Sequence, residues 1–157
     1  METTQIKCLL LPLANQTKLV IPNNLVAEIL FDQTAQQSAD IKPSWMIGHI
    51  SWRGQNLPLL SFEELCNIAS GSTPNTKGHC IVLHSLKHRE ELPFFAISIS
   101  SVPSFEYLDE SSLSEAFENR VESPFVEENV YINGLTSIIP NLDAIADLLA
   151  TRGINHG

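Results

Sequence analysis

Positive charge is scarce in this chain of 157 residues. Lysine and arginine total 9 against 18 aspartate and glutamate residues, so the formal net charge at pH 7 is −9. A nucleic-acid binder needs clustered cations to displace the counterions of phosphates, and a protein held on an anionic membrane surface needs them as well. The charge balance therefore argues against nucleic acid and against a membrane surface as partners.

Cysteine and long apolar runs are also scarce. Cys8, Cys66 and Cys80 are an odd number at wide spacing without a C-x-x-C pair, which predicts reduced thiols and neither a disulfide framework nor a zinc site. No stretch approaches the roughly 18 consecutive apolar residues of a membrane span. The first residues carry too short an apolar run for a secretory signal. We expect a cytoplasmic protein, one ordinary domain in length, with no direct membrane insertion.

Common catalytic motifs are missing as well. The sequence has no glycine-rich nucleotide loop, no nucleophile elbow and no zinc-protease helix motif. His84 and His88 are four residues apart but straddle a predicted strand end and turn, so we interpret them as solvated hairpin residues and not as metal ligands. His49 is predicted to lie at the surface or between lobes, and Cys80 to be an inert core thiol. We predict no catalytic residue, no metal and no cofactor.

Short apolar runs bounded by turn residues predict a mainly β protein. From residue 46 to 60 the alternation predicts a hairpin with its turn at 54–56, in which Gly48, Ile50 and Trp52 share one face. Ile47, His49, Ser51 and Arg53 are predicted on the other face. The predicted strands are 6–13, 18–21, 25–31, 47–53, 57–60, 79–86, 93–101 and 130–139.

The segments between these strands have clear signals of their own. Residues 32–42 are polar and predict a loop, and 69–78 (ASGSTPNTKG) predict a linker near mid-chain. Ser61 and Glu64 form a capping-box signature for a short helix over 62–67. Asn141 is a predicted N-cap for a helix over 142–152, because its apolar residues follow a period of 3.6. Nine or ten short strands with two or three helices are typical of small barrels or a sandwich.

Residues 105–128 contain eight carboxylates and one cation, Arg120. The carboxylates lack the regular spacing that calcium geometry requires. We interpret the segment as a solvated loop that favours solubility. Within it, Ser112 and Glu115 predict a single helical turn.

Arg53 and Gly54 follow a predicted strand and carry the most specific signal of the chain. An arginine at a hairpin apex presents a planar, permanently charged group on a rigid mount. The dipeptide alone is compatible with an exposed arginine beside an obligatory turn glycine. That exposed arginine is the favoured interpretation of the dipeptide alone, and a group that contacts another molecule is the alternative.

The wider context resembles the signature hairpin of the CheW-like family. In residues 45–66, WMIGHISWRGQNLPLLSFEELC, the positions in register with the family pattern are Gly48, Arg53, Gly54, Pro58 and Leu60. Upstream, 19–30 (LVIPNNLVAEIL) resembles the family's strand and V-x-E-I element. Downstream, 131–135 (YINGL) and 145–149 resemble its penultimate strand and closing helix. The opening is also similar to ChpC-type members of twitching-motility systems.

The resemblance covers about 6–150 and includes three departures. Ser100 and Ser101 stand where the family usually carries Asp-Gly, and Trp52 replaces a smaller residue. The segment between Gly134 and the last helix is shorter than usual, which predicts a clipped hairpin in the second lobe.

The resemblance implies two SH3-like five-stranded β-barrel lobes packed together in one CheW-like domain over 1–157. Their limits would be roughly 17–68 and 79–138, completed by strand 6–13 and helix 141–152. It implies a non-catalytic adaptor between the cytoplasmic tip of a methyl-accepting chemoreceptor and the regulatory domain of a CheA-type histidine kinase. The process would be chemotaxis or twitching motility driven by type IV pili.

Five interaction residues follow from the resemblance. Val26, Glu28 and Ile29 would lie near the kinase- and receptor-facing grooves. Arg53, beside Gly54, would help hold the receptor-contacting loop. Two alternatives stay open: a small-molecule-binding barrel or hydrolase with a deep polar pocket, and a CheW-like module with a different partner.

Overall fold

The computed structural model describes residues 5–13, 17–37, 43–68, 77–88, 90–118 and 120–151. They form a mainly β protein with two α-helices, α1 (Phe62–Leu65) and α2 (Leu142–Thr151). The strands are β1 (Ile6–Pro12), β2 (Lys18–Pro22), β3 (Val26–Thr34), β4 (Met46–Trp52), β5 (Gln55–Leu60), β6 (Lys77–His84), β7 (Phe94–Ile99), β8 (Ser104–Leu108), β9 (Leu113–Glu115), β10 (Val126–Ile132) and β11 (Leu135–Pro140). The predicted fold class is confirmed.

The strands form two sheets. One has six strands in the order β8-β1-β2-β11-β10-β9, and the other has five in the order β3-β6-β7-β5-β4. The chain leaves the first sheet after β2, completes the second, and returns at β8. The sheets therefore do not follow the predicted lobe limits of 17–68 and 79–138, because β2 and β3 belong to different sheets.

Five strands of the six-stranded sheet are arranged like the five strands of the other sheet, in a permuted chain order, and β9 has no counterpart. Hairpin β4–β5 leads into α1, and β5 lies parallel to β7. Hairpin β10–β11 leads into α2, and β11 lies parallel to β2. Each hairpin has six residue pairs with a register shift after the first of them. The sequence shows no matching repeat, so the relation is visible in the backbone alone.

Three apolar clusters form the core, and one of them joins the two sheets. The central cluster lies between the sheets and includes Leu9 and Leu11 of β1 and Ile145 of α2. Cys8 and Leu10, which alternate with those leucines, belong to a second cluster on the six-stranded sheet. A third cluster belongs to the five-stranded sheet. Strand β1 is apolar on both faces because each face is buried against a different cluster.

Capping side chains start both helices where the sequence predicts. Ser61 Oγ accepts a hydrogen bond from the backbone N–H of Glu64 at 3.2 Å, although α1 ends at Leu65 and is shorter than predicted. Asn141 Oδ1 accepts one from the N–H of Ala144 at 3.1 Å. Side-chain acceptors at the N-cap satisfy amides that have no partner within the helix.

Several predicted boundaries were wrong. Strand β3 continues to Thr34, and Gln36 forms an isolated bridge with His49, so the polar segment begins as strand. A register shift between Met46 and Gly48 brings Ile47 into the same cluster as Ile50 and not onto the opposite face. Of the predicted linker, 77–78 begin β6, and 69–76 lie outside the described residues, as does residue 152 of the predicted last helix.

The second half also differs in detail. The run 130–139 is the hairpin β10–β11 with a turn at Asn133 and Gly134, so that hairpin is complete and not clipped. Within the acidic segment, Asp109 caps a short 3-10 turn (Glu110–Ser112), and Leu113–Glu115 is strand β9. The predicted helical turn was wrong because the residues after Ser112 pair with β10, so the amides that Ser112 would cap lie in a strand.

Candidate functional site

The apex of hairpin β4–β5 is a two-residue turn formed by Arg53 and Gly54. Their φ angles are +48° and +76°, as a type I′ turn requires, and this turn type matches the twist of the flanking strands. A Cβ on Gly54 would meet no heavy atom within 4 Å, so glycine is needed there for its backbone conformation. Arg53 adopts a left-handed conformation that disfavours residues with a Cβ.

Two neighbours hold the Arg53 side chain. Its Nη2 lies 3.2 Å from Glu28 Oε1, and its Cζ lies 4.6 Å from the centre of the Trp52 ring. Trp52 Nε1 donates to the same Glu28 oxygen at 3.0 Å. We call Glu28, Trp52 and Arg53 the apex cluster.

The guanidinium is positioned but not buried. The side chain of Arg53 is 67% exposed and that of Glu28 is 41% exposed. An ion pair this exposed contributes about 0.2–1 kcal/mol, and an exposed cation–π contact contributes about 0.5–1 kcal/mol. These contacts orient Arg53 more than they stabilise the fold.

Trp52 anchors the apex cluster to the core of the five-stranded sheet. It is buried, and its ring meets Phe94 edge to face with ring centres 4.8 Å apart. Phe94 in turn lies 5.1 Å from the ring of His84. Trp52 is held by the Phe94 ring and by its hydrogen bond to Glu28. The orientation of Arg53 is therefore set by a buried ring and not by flexible surface contacts.

The three predicted interaction residues in β3 lie on two faces of that strand. Glu28 pairs with Val82 and lies on the side of Trp52, so the structure brings Glu28, Arg53 and Gly54 together. Val26 and Ile29 are half-buried and pack against the central cluster on the opposite side. A bulge between Val26 and Glu28 changes the alternation along the strand.

A groove runs between the two sheets and ends near the apex cluster. Its larger opening, of about 450 Å³, reaches Phe94 and Asn24. A second opening, of about 240 Å³, shares residues 84–86 with the first and extends to the start of α2. We call the two the interlobe groove. Its apolar lining includes Leu25, Leu86, Phe94, Ile139 and Leu142.

Neither the lining of this groove nor the role of Trp52 was predicted from the sequence. Its lining comes from five separate segments of the chain, so no local pattern marks it. The one signal in the sequence for the apex cluster was a tryptophan next to the apex arginine. An indole N–H can donate to a carboxylate while the face of the ring contacts a cation.

The structure places the other candidate residues in separate parts of the fold. Cys80 is buried, and burial raises the pKa of its thiol to about 12, in keeping with the predicted inert thiol. His84 lines the interlobe groove, and His88 lies within hydrogen-bond distance of Glu91 and of Asp147 in α2. Among the residues described, no three His, Cys, Asp or Glu side chains are placed to hold a metal ion. No helix in those ranges is long and apolar enough to cross a membrane.

Comparison with known proteins agrees with this architecture. A family model described as the CheW-like domain matches residues 7–150. The crystal structure of the scaffolding protein TtCheW from Thermoanaerobacter tengcongensis is similar, with a TM-score of 0.69 and 18% sequence identity over 90% of this chain and 87% of that one. No curated protein matches significantly. Because the family model covers nearly the whole chain and the fold agrees with it, this chain belongs to the CheW-like domain family.

Proposed function

We propose that this chain is a non-catalytic adaptor that couples methyl-accepting chemoreceptors to a CheA-type histidine kinase in the cytoplasm. The process would be chemotaxis or twitching motility driven by type IV pili. The apex cluster is the observation that supports this most directly. A cation oriented by a buried ring and left 67% exposed is suited to contact another protein.

The interlobe groove supplies the apolar part of the contact. An amphipathic helix lays its apolar face into such a groove, and charged side chains at the rim set its orientation. The cytoplasmic tip of a chemoreceptor would present such a helix. In this proposal Leu25, Leu86 and Phe94 meet its apolar face, and Arg53 binds a polar or acidic group near the end of the groove.

The remaining predicted residues would serve in different ways. Glu28 orients Arg53 and offers its second carboxylate oxygen to a partner. Val26 and Ile29 would act indirectly, because they fix β3 on the central cluster and so position Glu28. The kinase regulatory domain would bind beside this region, along the β3 edge of the five-stranded sheet.

The mechanism would be linkage without chemistry. A protein that binds receptor and kinase together raises the concentration of each near the other. If the receptor contacts the adaptor differently in its two signalling states, that difference biases the kinase equilibrium by the same free energy. Interfaces of this transient kind bury about 1,200 Å² or less, so single anchors matter.

Titration calorimetry with a receptor-tip fragment and with the kinase regulatory domain tests the proposal. We expect Arg53→Ala to weaken receptor binding by about tenfold or more, to abolish signalling in cells, and to leave the circular dichroism spectrum unchanged. Arg120→Ala is the matched control, since Arg120 is also a surface arginine paired with an acid, at 3.0 Å from Glu122, but lies in the connection between β9 and β10. Normal binding by Arg53→Ala, or failure of the wild type to bind either partner, would contradict the proposal.

A CheW-like module with a different partner is the second candidate, and one contact favours it. Ser100, where the family usually has Asp, donates its hydroxyl hydrogen to the carbonyl of Pro12 at 2.8 Å and joins the end of β7 to β1. A small-molecule barrel is less well supported, because both openings are broad and their exposed lining is mainly apolar, whereas a small-molecule site is a deep pocket. Thermal stabilisation by a metabolite, without affinity for any kinase, would favour the small-molecule reading.

A further inference from the structure

Four charged or titratable side chains join the β6–β7 connection to α2. Asp147 of α2 contacts two of them. Its Oδ2 lies 3.0 Å from Lys87 Nζ, and its Oδ1 lies 2.6 Å from His88 Nε2. The second ring nitrogen of His88, Nδ1, lies 2.8 Å from Glu91 Oε1. We call Lys87, His88, Glu91 and Asp147 the loop–helix cluster.

His88 can satisfy both carboxylates only when it is protonated. The imidazolium donates from both ring nitrogens, whereas the neutral ring donates from one and turns a lone pair toward the other carboxylate. In agreement, hydrogen bonds to Asp147 and then to Glu91 raise the pKa of His88 above its ordinary value. The same bonds lower the pKa values of Asp147 and Glu91.

The loop–helix cluster lies directly behind the interlobe groove. Ser85 and Leu86 of the connection form one wall of the groove, and Leu142 and Asp143 of α2 form the facing wall. Lys87 and His88 follow the first wall in the chain, and Asp147 lies one helical turn beyond Asp143. The cluster therefore ties the two walls together and preorganises the groove for a docking helix.

The connection is anchored at one end and held by the cluster at the other. Leu92 is fully buried in the central cluster, and its N–H donates to the carbonyl of His88 at 2.8 Å. Ser85 Oγ accepts from the N–H of His88 at 3.4 Å. Loss of one bond to the His88 ring would loosen the exposed part, Leu86 to His88, without unfolding the connection.

We propose that His88 is a pH-responsive tie between the two walls of the interlobe groove, closed when the ring is protonated and loosened when it is neutral. The contact between Lys87 Nζ and Asp147 Oδ2 does not involve the His88 ring, so the response is a loosening and not a separation. Among the described residues of these two elements, the other charged side chains are Asp143 on α2 and Glu90 in the connection. The carboxylates that act on the ring are those of Asp147 and Glu91, and both favour its protonated form.

The sign of the pH effect follows from the direction of each shift. Because the pKa of His88 is raised in the folded state, its contribution is complete below about pH 6.5 and is lost as the pH rises through the folded value. The lowered pKa values of Asp147 and Glu91 give contributions that disappear only in acid. The tie is therefore strongest in mildly acidic solution and weakens toward alkaline pH.

Nitrogen-15 NMR titration of the imidazoles and hydrogen exchange of α2 amides test the tie on the whole chain. We expect the midpoint of His88 to fall when Asp147→Asn is introduced. We also expect exchange at Ile145–Leu149, corrected for intrinsic rate, to be about threefold or more faster near pH 8 than near pH 6. His88→Gln should remove this pH dependence, whereas the control Lys87→Met should weaken protection at both values and keep the dependence.

The consequence for docking rests on the proposed function and is measured separately. A receptor-tip fragment should bind wild type more weakly near pH 8 than near pH 6, and His88→Gln equally at both. If no fragment binds while exchange still depends on His88, the proposed function fails and the tie stands. If exchange in the wild type shows no more pH dependence than in His88→Gln, or if Asp147→Asn leaves the His88 midpoint unchanged, the tie itself is refuted.

Discussion

Replacing Gly48 by alanine should cost far more stability than either of two matched glycine substitutions. Gly48 lies in β4 where the chain after β3 crosses it, and the bridge is made by two hydrogen bonds. Gln36 N–H donates to the His49 carbonyl at 2.7 Å, and His49 N–H donates to the Gln36 carbonyl at 2.8 Å. A Cβ on Gly48 would stand 2.5 Å from the Gln36 oxygen and 3.3 Å from the Cβ of Ala35.

The magnitude follows from what the clash displaces. The obstacle is backbone, so the segment 35–36 must move away and both hydrogen bonds are lost or bent, at about 1 kcal/mol each. Ala35 is buried, and its methyl group contributes roughly 0.8 kcal/mol when out of water. We expect Gly48→Ala to lower the free energy of unfolding by about 3 kcal/mol. For a chain of this length that lowers Tm by about 6–12 °C.

Two other glycines separate the clash from the general effect of adding a methyl group. At Gly54 the added Cβ meets nothing within 4 Å but the φ of +76° is unfavourable, so alanine should cost about 1 kcal/mol. At Gly78 there is neither a contact within 4 Å nor a positive φ, so the change should be close to neutral. Urea and thermal unfolding followed by circular dichroism give the order. If Gly48→Ala is no less stable than Gly54→Ala, the close approach of Gln36 does not govern this position.

Three further predictions concern the turn, the core and the last helix. Arg53→Asn should change the free energy of unfolding by less than about 1 kcal/mol. Asparagine adopts the left-handed conformation with less strain, and this offsets the lost contacts to Glu28 and the indole. A loss above about 2 kcal/mol in urea unfolding would make Arg53 a structural residue. Cys80 should resist iodoacetamide in the folded protein at mildly alkaline pH, because burial raises its pKa to about 12, and rapid labelling seen by peptide mass spectrometry would refute this. Asn141→Ala should cost about 1 kcal/mol through the lost bond to Ala144, while Asn141→Ser restores most of it in the same unfolding assay.

Local signals in the sequence predicted much of the fold. The opening and β6–β7 hairpins and the caps at Ser61 and Asn141 depend on residues close in the chain, and the structure contains all four. The predicted boundaries of strands β4 and β5 were wrong because two positions for the turn were possible. Gly54-Gln55-Asn56 contains three polar or flexible residues and predicts a turn there, but the strands close one residue earlier. The reason is that a two-residue type I′ turn matches their twist better.

The site was predictable only in part, for a different reason. Glu28 and Arg53 are 25 positions apart, and only the family resemblance joined them. The interlobe groove depends on the parallel pairing of β11 with β2, which joins residues more than 110 positions apart through the sheet. Such pairing carries no local signature, because parallel neighbours meet through long connections and not through turns. No composition or periodicity argument could have placed Leu142 opposite Leu86.

The two equivalent hairpins give the strongest physical reason to assign Arg53 a role in binding. Hairpin β10–β11 turns on Asn133 and Gly134 with φ angles of +51° and +81°, the residue pair that a type I′ turn favours. Hairpin β4–β5 also has six residue pairs, and the φ angles of its turn are nearly the same, but the first turn residue is arginine. Asparagine tolerates the left-handed conformation better than arginine does, and the exposed contacts of Arg53 return little stability. Folding alone would therefore be served equally well by Asn-Gly in both hairpins, so the arginine is better explained by a contact outside the chain.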